Sequence, residues 1–537
     1  MTYRVLVSET LAPEGLAILR REPELEVVER PPLKGPELAK EIGDYDALIV
    51  RSGAKVTAEA IAAAQRLKVI GRAGIGVDNI DVPAATRRGI VVMNTPGGNN
   101  VTTAEHAISL LLACARHIPQ ANASLRAGKW ERSKFTGIEV TGKTLGVIGL
   151  GNIGRIVADR ACGLSMKVIA YDPFVTPETK PLAVDLVSLE ELYARSDFVT
   201  VHVPLTNDTR GLIDAAAIAR MKPGVRIINC ARGGIVDERA VADAIEAGHV
   251  AGAAFDVFAE EPPPADHPLI ALPQVVATPH LGASTGEAQT NVAVAIAEQV
   301  SAFLLRGAIT AAVNMPAITP EQRELLGPFL RLGEKLGSLI AQLAGIDGRG
   351  GAGAPVEVAI EYRGDVADLG TKTVTAAILR GLLVPILGSE LNYVSAPVIA
   401  RERGIDVRET VSTQQSDFRN RVGLRVRFAS GTAHEVAGAV FGRSTMRLVK
   451  LNDFFLEAVP EGYILMLHNR DVPGVVGRVG TLLGQHKVNI AGLELGREKI
   501  GGQAVSLFHV DDPVPEPVLD ELRKVPEIIS AALIHLE

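Results

Sequence analysis

The chain has few cysteines, no excess of positive charge and no long apolar run, and each shortage removes a class of function. Three cysteines in 537 residues, Cys114, Cys162 and Cys230, are too few and too scattered for a disulfide framework or a metal-binding knuckle. That scarcity points to a reducing compartment, so a cytoplasmic protein with no bound metal is expected. The net charge is −7, from 55 basic and 62 acidic side chains, and nothing global draws the chain to nucleic acid or to an anionic membrane. An anionic substrate must then be met by a local cationic pocket. The apolar stretch Ala107 to Ala115 is ended by Arg116, short of the roughly 18 residues that a membrane span needs. Met1 to Thr10 meets Glu9 after a brief apolar stretch, which reads as a first strand rather than a signal peptide. With 47% hydrophobic and 22% charged residues the composition is that of a soluble globular protein, and 537 residues exceed one hydrophobic core, so three or four domains are expected.

Two α/β units follow one another. From Tyr3 to Pro96 short apolar runs (Val5 to Val7, Leu25 to Val28, Ala47 to Val50, Lys68 to Ile70, Ile90 to Met93) alternate with helical patterns at Pro13 to Arg20 and Ala58 to Gln65, as in a small parallel sheet. A cap-rich loop, Asn94 to Asn100, opens one long helix running toward Ala127, whose amino end could hold an anion. The second unit starts with a strand, Thr144 to Ile148, then a turn carrying Gly149, Gly151 and Gly154, then a helix from Ile153 to Cys162. Such a turn lets backbone N–H groups approach a pyrophosphate at the positive end of the helix. Asp172 stands 18 residues after Gly154, close to the roughly 20 expected of the acid that reads a ribose 2′-hydroxyl. Its charge would repel a 2′-phosphate, so NAD is favoured over NADP. Strands at Phe198 to Val203, Arg226 to Cys230 and Ala251 to Val257 continue a doubly wound sheet, and a helix from Thr285 to Leu305 is placed to return the chain to the first unit. Two lobes sharing a cleft result.

Beyond Pro316 the pattern changes to a helix (Glu321 to Leu343), a glycine-rich loop or hinge (Gly345 to Gly353), a strand (Val356 to Tyr362) and a helix (Thr373 to Leu383). The tail, Tyr463 to Glu537, reads βαββαβ, with Val475, Val476, Val479, Leu482 and Leu483 on one helical face. The expected division is a first lobe of residues 1–98 and 285–316, a Rossmann lobe of 99–284, an α+β intervening domain of 317–456 and a regulatory or oligomeric module of 463–537.

Oxidising a hydroxyl-bearing carbon needs a base for the hydroxyl proton and a cation for a neighbouring carboxylate, beside a hydride acceptor. Arg232 follows a strand, so its guanidinium emerges at the carboxyl end of the sheet, where it can grip a carboxylate bidentately. Glu261 follows the next strand and His280 comes 19 residues later in a Pro-His loop. A glutamate bonded to one imidazole nitrogen orients the ring and leaves the other to exchange the alcohol proton. Asp256 is expected to contact the amide of the cofactor, and Glu260 to face solvent. For a phosphorylated substrate, Arg51, Ser52 and Asn100 are the candidate phosphate contacts, with Arg72, in the Gly71 to Gly74 turn, or Lys134 assisting.

The segments NCARGGIVDE (Asn229 to Glu238), DVFAEEP (Asp256 to Pro262) and PHLGAST (Pro279 to Thr285), with the split first lobe, resemble the D-isomer-specific 2-hydroxyacid dehydrogenases, in the long form with two added carboxyl-terminal domains. The resemblance spans essentially the whole chain and is loosest between Pro320 and Leu456. It implies Arg232, Glu261 and His280 as catalytic residues, and an NAD site lined by Asn152, Ile153, Asp172, Val203, Cys230, Ala231, Asp256, Gly282 and Ala283, with Ile75 beside the nicotinamide. It also implies oxidation of 3-phospho-D-glycerate to 3-phosphohydroxypyruvate at the start of L-serine synthesis. A glyoxylate or hydroxypyruvate reductase, which would share the same three residues, and a non-catalytic NAD sensor are the alternatives. The tail resembles an ACT domain, with Asn469, Asp471 and Asn489 as the implied effector contacts, L-serine as effector, and a homodimer or homotetramer as the assembly. The middle region resembles the allosteric substrate-binding domain of the long form, notably at Leu391 to Pro397 and Ala400 to Gly404.

Overall fold

Strand Tyr3–Ser8 (β1) is flanked by Leu25–Arg30 (β2) and Ala47–Val50 (β3), and Val69–Arg72 (β4) and Val91–Met93 (β5) complete an all-parallel sheet of order β2-β1-β3-β4-β5. The computed structural model describes residues 2–317, 320–346, 352–388, 390–414 and 418–537. The runs of Val, Ile and Leu in β1, β3, β4 and β5 are buried on both faces, as parallel strands between helices require, while the edge strand β2 is only partly covered. Much of the expected glycine-rich loop at Gly345 to Gly353 lies outside the described residues.

The second sheet contains Thr144–Ile148 (β6), Lys167–Tyr171 (β7), Val184–Leu186 (β8), Phe198–Val201 (β9), Val225–Asn229 (β10), Val250–Phe255 (β11) and Val275–Ala277 (β12). All seven strands are parallel, in the order β12-β11-β10-β9-β6-β7-β8. The order reverses at β6, the strand that leads into the glycine turn, and at such a switch point ligands bind beyond the strand ends. Helix Gly286–Arg306 does return to the first lobe, where Val292, Ile296, Val300 and Leu304 share a core with Val5, Val7 and Leu19.

The single helix expected from Asn100 toward Ala127 is two helices, Asn100–Arg116 and Ile118–Arg126, broken at His117, which adopts φ 54° and ψ 35°. Pro119 supplies the reason. It has no N–H to donate to the carbonyl four residues back, and its ring crowds that turn. The first of these helices packs its Ala104, Ala107, Leu110 and Leu111 on the second sheet.

A third sheet is built from Pro355–Gly364 (β13), Asp406–Ser412 (β14), Asn420–Phe428 (β15), Ala433–Phe441 (β16), Thr445–Leu451 (β17) and Phe454–Ala458 (β18), in the order β14-β13-β15-β16-β17-β18. Only the β13–β14 pair is parallel. Gly462–Arg470 (β19), Ile490–Arg497 (β20), Gln503–Val510 (β21) and Ile528–Leu536 (β22) form an antiparallel fourth sheet of order β20-β21-β19-β22. With helices Val475–Gln485 and Glu516–Arg523 this is the βαββαβ unit read from the tail. One face of the fourth sheet is covered by those helices, and the other joins a core with helix Pro320–Ile346 and the third sheet. Among the described residues no helix is long and apolar enough to cross a membrane.

Candidate active site

Three neighbouring strand tips, those of β10, β11 and β12, deliver Arg232, Glu261 and His280 to one region. His280 Nδ1 lies 2.7 Å from Glu261 Oε2, and Glu261 Oε1 accepts from the Phe258 N–H at 3.1 Å. Burial opposes ionisation of Glu261, but the His280 and Phe258 hydrogen bonds outweigh it and hold the carboxyl below the usual glutamate range. His280 itself has φ 54°, imposed by a tight turn in which its N–H donates to the Asp256 carbonyl at 2.9 Å.

Asp256 anchors that turn. Its carboxylate, 1% exposed, accepts from the Thr278 hydroxyl at 2.6 Å, from Leu281 N–H at 2.7 Å and from Gly282 N–H at 2.8 Å. His106 Nε2 stands 3.0 Å from the same carboxylate. Burial alone would raise this carboxyl, and the donors from His106, Thr278 and Leu281 bring it below the ordinary aspartate range. Oδ2 accepts from Gly282, while Oδ1 is shared among the others. Asp256, expected from the sequence to contact the amide of the cofactor, thus also shapes the His280 turn while bordering the first cleft. Thr103, one turn before His106 on the same helix, completes the clamp by donating to the Gly282 carbonyl at 2.8 Å.

Two clefts meet at His280. The first, about 460 Å³, is lined by Ile75, Asn152, Ile153, Val203, Cys230, Ala231, Arg232, Asp256, His280, Gly282 and Ala283, together with Asn99, Asn100, Thr103 and His202. The second, also about 460 Å³, is lined by Glu9, Arg51, Ser52, Arg72, Gly74, Glu261 and His280 among others. Arg72, Asp256, His280 and Ala283 border both. Each volume falls in the range of small-molecule sites, roughly 300–1,000 Å³.

At the far side of the first cleft lies the glycine turn. Gly149 has φ +95°, and a Cβ on Gly154 would sit 1.9 Å from the Gly149 carbonyl oxygen, so neither position accepts a side chain. Gly151 faces open space in front of helix Asn152–Gly163. Asp172, just past β7, accepts from the Leu150 N–H at 2.8 Å and the Phe174 N–H at 2.9 Å, which fixes its carboxylate beside the turn. Bare backbone at a helix amino end with an acid at the adjacent strand tip fits a dinucleotide without a 2′-phosphate.

In the second cleft Arg51 Nη1 donates to the Thr10 carbonyl at 3.3 Å, and Asn79 braces the loop by donating to the Arg51 and Ala54 carbonyls at 2.7 and 2.8 Å. Glu9 Oε2 accepts from the Gly53 N–H at 2.9 Å. Arg72 is pushed down to about 10, by burial first and by the Arg232 cation second, and remains charged at neutral pH. Its Nε is buried with no hydrogen-bond partner among the described residues.

Two expected phosphate contacts are placed elsewhere. Asn100, the first residue of a helix that packs on the second lobe, lines the first cleft and not the one that holds Arg51 and Ser52. Lys134 sits in the 3-10 turn Arg132–Phe135, two-thirds exposed and paired with Glu131 at 2.6 Å, outside both clefts. In the tail, Asn469 is 2% exposed; its side chain accepts from the Ser506 hydroxyl at 2.9 Å and donates to the Arg470 carbonyl at 2.9 Å, so both its polar atoms are engaged within the module. Asp471 accepts from Gly501 N–H at 3.2 Å and pairs with Arg497, and Asn489 donates to Asp511 at 2.7 Å. Sequence reasoning missed Asp78, which accepts from Arg232 Nε at 3.0 Å, as well as His106 and His202.

Known proteins carry the same parts. Residues 108–282 match the D-isomer specific 2-hydroxyacid dehydrogenase NAD binding domain, 325–452 the D-3-phosphoglycerate dehydrogenase intervening domain and 463–527 the ACT domain. The D-3-phosphoglycerate dehydrogenase of Archaeoglobus fulgidus is 47% identical over 537 residues, covering 99% of this chain and 100% of the relative. That of Bacillus subtilis is 41% identical, covering 99% and 100%. Among solved structures, a glyoxylate reductase from Paecilomyes thermophila aligns with TM-score 0.54 and 31% identity, over 58% of this chain and 98% of its own. D-Lactate dehydrogenase from Aquifex aeolicus, complexed with NAD and lactic acid, aligns with TM-score 0.52 and 26% identity, over 58% of this chain and 100% of its own. The chain belongs to the D-3-phosphoglycerate dehydrogenases, the members of the D-isomer-specific 2-hydroxyacid dehydrogenase family in which an NAD-binding lobe is joined to an intervening domain and an ACT domain.

Proposed function

We propose that the chain oxidises 3-phospho-D-glycerate at C2 to 3-phosphohydroxypyruvate, the first step of L-serine synthesis. The observation that carries this reading is the position of His280, at the junction between a cleft beside the glycine turn and a cleft ringed by Arg51, Ser52, Arg72 and Gly74. Bound NAD supplies the acceptor for the hydride that leaves C2. Arg232 holds the C1 carboxylate and polarises the oxygen on C2. Arg51, Ser52, Arg72 and the Gly74 backbone take the phosphate. Glu261, kept ionised, accepts a hydrogen bond from Nδ1–H of His280, which leaves Nε2 with a lone pair to take the hydroxyl proton as the C2–O double bond forms. Hydride, proton and electron pair are thereby all accounted for.

The division into lobes of 1–98 with 285–316 and of 99–284, followed by 317–456 and 463–537, is supported by the separate cores of the first two sheets, by the return of helix Gly286–Arg306 and by the core that the tail sheet forms with its own two helices, although its other face shares a core with the third sheet. L-Serine is the effector we assign to the ACT module, with Asp471 and Asn489 on its exposed loops as contacts. Apolar side chains left exposed on and after helix Ile118–Arg126 (Ile118, Leu125, Trp130) support a homodimer or homotetramer. Three unpaired cysteines support a cytoplasmic location.

Purified protein with NAD and a panel of D-2-hydroxy acids tests the central reading. We expect 3-phospho-D-glycerate to be oxidised in preference to D-glycerate, glycolate and D-lactate. Equal or better turnover of D-glycerate would defeat the phosphate assignment, and tight NADH binding with no turnover of any hydroxy acid would favour an NAD sensor.

A further inference from the structure

The guanidinium assigned to the substrate carboxylate is held from the opposite lobe. Arg232 Nε donates to Asp78 Oδ2 at 3.0 Å, across 154 positions of sequence, and Nη1 donates to the Ala231 carbonyl at 2.7 Å. Nη2 lies against Gly76, where a Cβ would come within 2.0 Å of it, so the loop Gly76-Val77-Asp78 both makes room for the fork and grips it. A guanidinium has five N–H donors. With Nε and one Nη1 hydrogen engaged, one hydrogen on Nη1 and two on Nη2 remain, so each terminal nitrogen keeps a donor for a carboxylate.

We infer that Asp78 is a positioning residue for the oxidation: by accepting from Arg232 Nε it turns the Nη1–Nη2 edge of the guanidinium toward the substrate carboxylate. The inference rests on the assignment of Arg232 to that carboxylate. It also ties the grip to the apposition of the two lobes, because Asp78 follows β4 of the first sheet and Arg232 follows β10 of the second. A purely structural role is a poor account of the pair. The Asp78 side chain is 72% exposed, and exposed ion pairs contribute little to stability. Asp78 borders the first cleft from the first lobe, whereas the glycine turn belongs to the second, so its loss is expected to leave cofactor affinity largely in place.

The test compares full-length wild type with Asp78→Ala, Asp78→Asn and Arg232→Ala, measuring kcat and KM for 3-phospho-D-glycerate, NADH affinity by fluorescence and the melting temperature. We expect Asp78→Ala to lose about 10- to 100-fold in kcat/KM, the cost of a misdirected binding group, with NADH affinity and melting temperature unchanged. Asp78→Asn keeps an oxygen at Nε and should recover most of the loss. Asp78→Ala within twofold of wild type, while Arg232→Ala is severely impaired, would overturn the inference and leave the role of Arg232 standing. A lower KM in Asp78→Ala would show that Asp78 competes with substrate for the guanidinium, and Asp78→Asn as impaired as Asp78→Ala would show that an acceptor at Nε does not by itself orient the guanidinium and that the carboxylate charge is what matters; either result overturns it. Unimpaired Arg232→Ala would instead remove the underlying assignment.

Discussion

His280 owes its position to two carboxylates, Asp256 shaping its turn through the backbone and Glu261 holding its ring through Nδ1. A carboxylate beside Nδ1 selects the tautomer that leaves Nε2 unprotonated, whereas an amide can present a donor and select the opposite one. Glu261→Gln is therefore expected to lower kcat by about 100-fold or more with NADH affinity retained; steady-state kinetics within twofold of wild type would show that the tautomer is set elsewhere. His202, at the end of β9, carries a different consequence. Burial pushes its imidazole down to about 4, so it is neutral in the folded chain across the range where an unfolded histidine, near about 6.5, takes up a proton. The sign follows from linkage: the unfolded state binds more protons between those values, so this contribution is complete above about 6.5 and is lost as pH falls toward 4. Urea unfolding of His202→Asn should accordingly show a shallower loss of stability between pH 7 and pH 5 than wild type, and parallel curves would contradict the buried neutral imidazole. Arg232 and Glu261 were legible in the sequence because each follows a recognisable strand and strand tips carry ligands in such sheets, and His280 through its Pro-His loop 19 residues on. Asp78 and His106 were not, since they act through partners 154 and 150 residues away and no spacing rule links them.

Strands and helices were read well where the residues repeat the period of the element. Every strand of the first two sheets that the alternating pattern suggested exists, because β-branched runs buried on both faces leave few alternatives. The long helix failed at His117, where apolar periodicity continues on either side and only Pro119 marks the break. Asn469 lies within β19, where pairing with β21 brings its side chain to Ser506, a contact 37 residues away that no local pattern announces. The glycine turn offers the sharpest test at this scale. A Cβ on Gly154 meets the Gly149 carbonyl oxygen at 1.9 Å, whereas one on Gly163, at the other end of the same helix, meets nothing within 4 Å. Gly154→Ala should thus weaken NADH binding by about tenfold or more through displacement of the turn, and Gly163→Ala should leave it unchanged. Equal affinities for the two variants by fluorescence titration would remove the turn from the cofactor site.

Four sheets are linked into one molecule by contacts that run from tail to catalytic lobes. The fourth sheet shares a core with helix Pro320–Ile346 and the third sheet, and Asn392, just before helix Ser395–Glu402, donates to the Gly89 carbonyl of the first lobe at 2.7 Å. Arg87 and Glu402 form a second tie, at 3.4 Å. A ligand bound to the tail thus has packed structure through which to bias the lobes. L-Serine titrated into the enzyme is expected to lower kcat or raise KM and to raise the melting temperature as binding stabilises the folded state; activity and melting temperature that both stay fixed at saturating serine would reject it as effector. Oxidation at C2 turns on His280 as the group that takes the hydroxyl proton where the two clefts meet. Its most direct test is kcat for 3-phospho-D-glycerate and NADH affinity measured on the same preparation of His280→Asn beside wild type. We expect kcat to fall by about 100-fold or more with NADH affinity unchanged, and an undiminished kcat would remove His280 from the role of base.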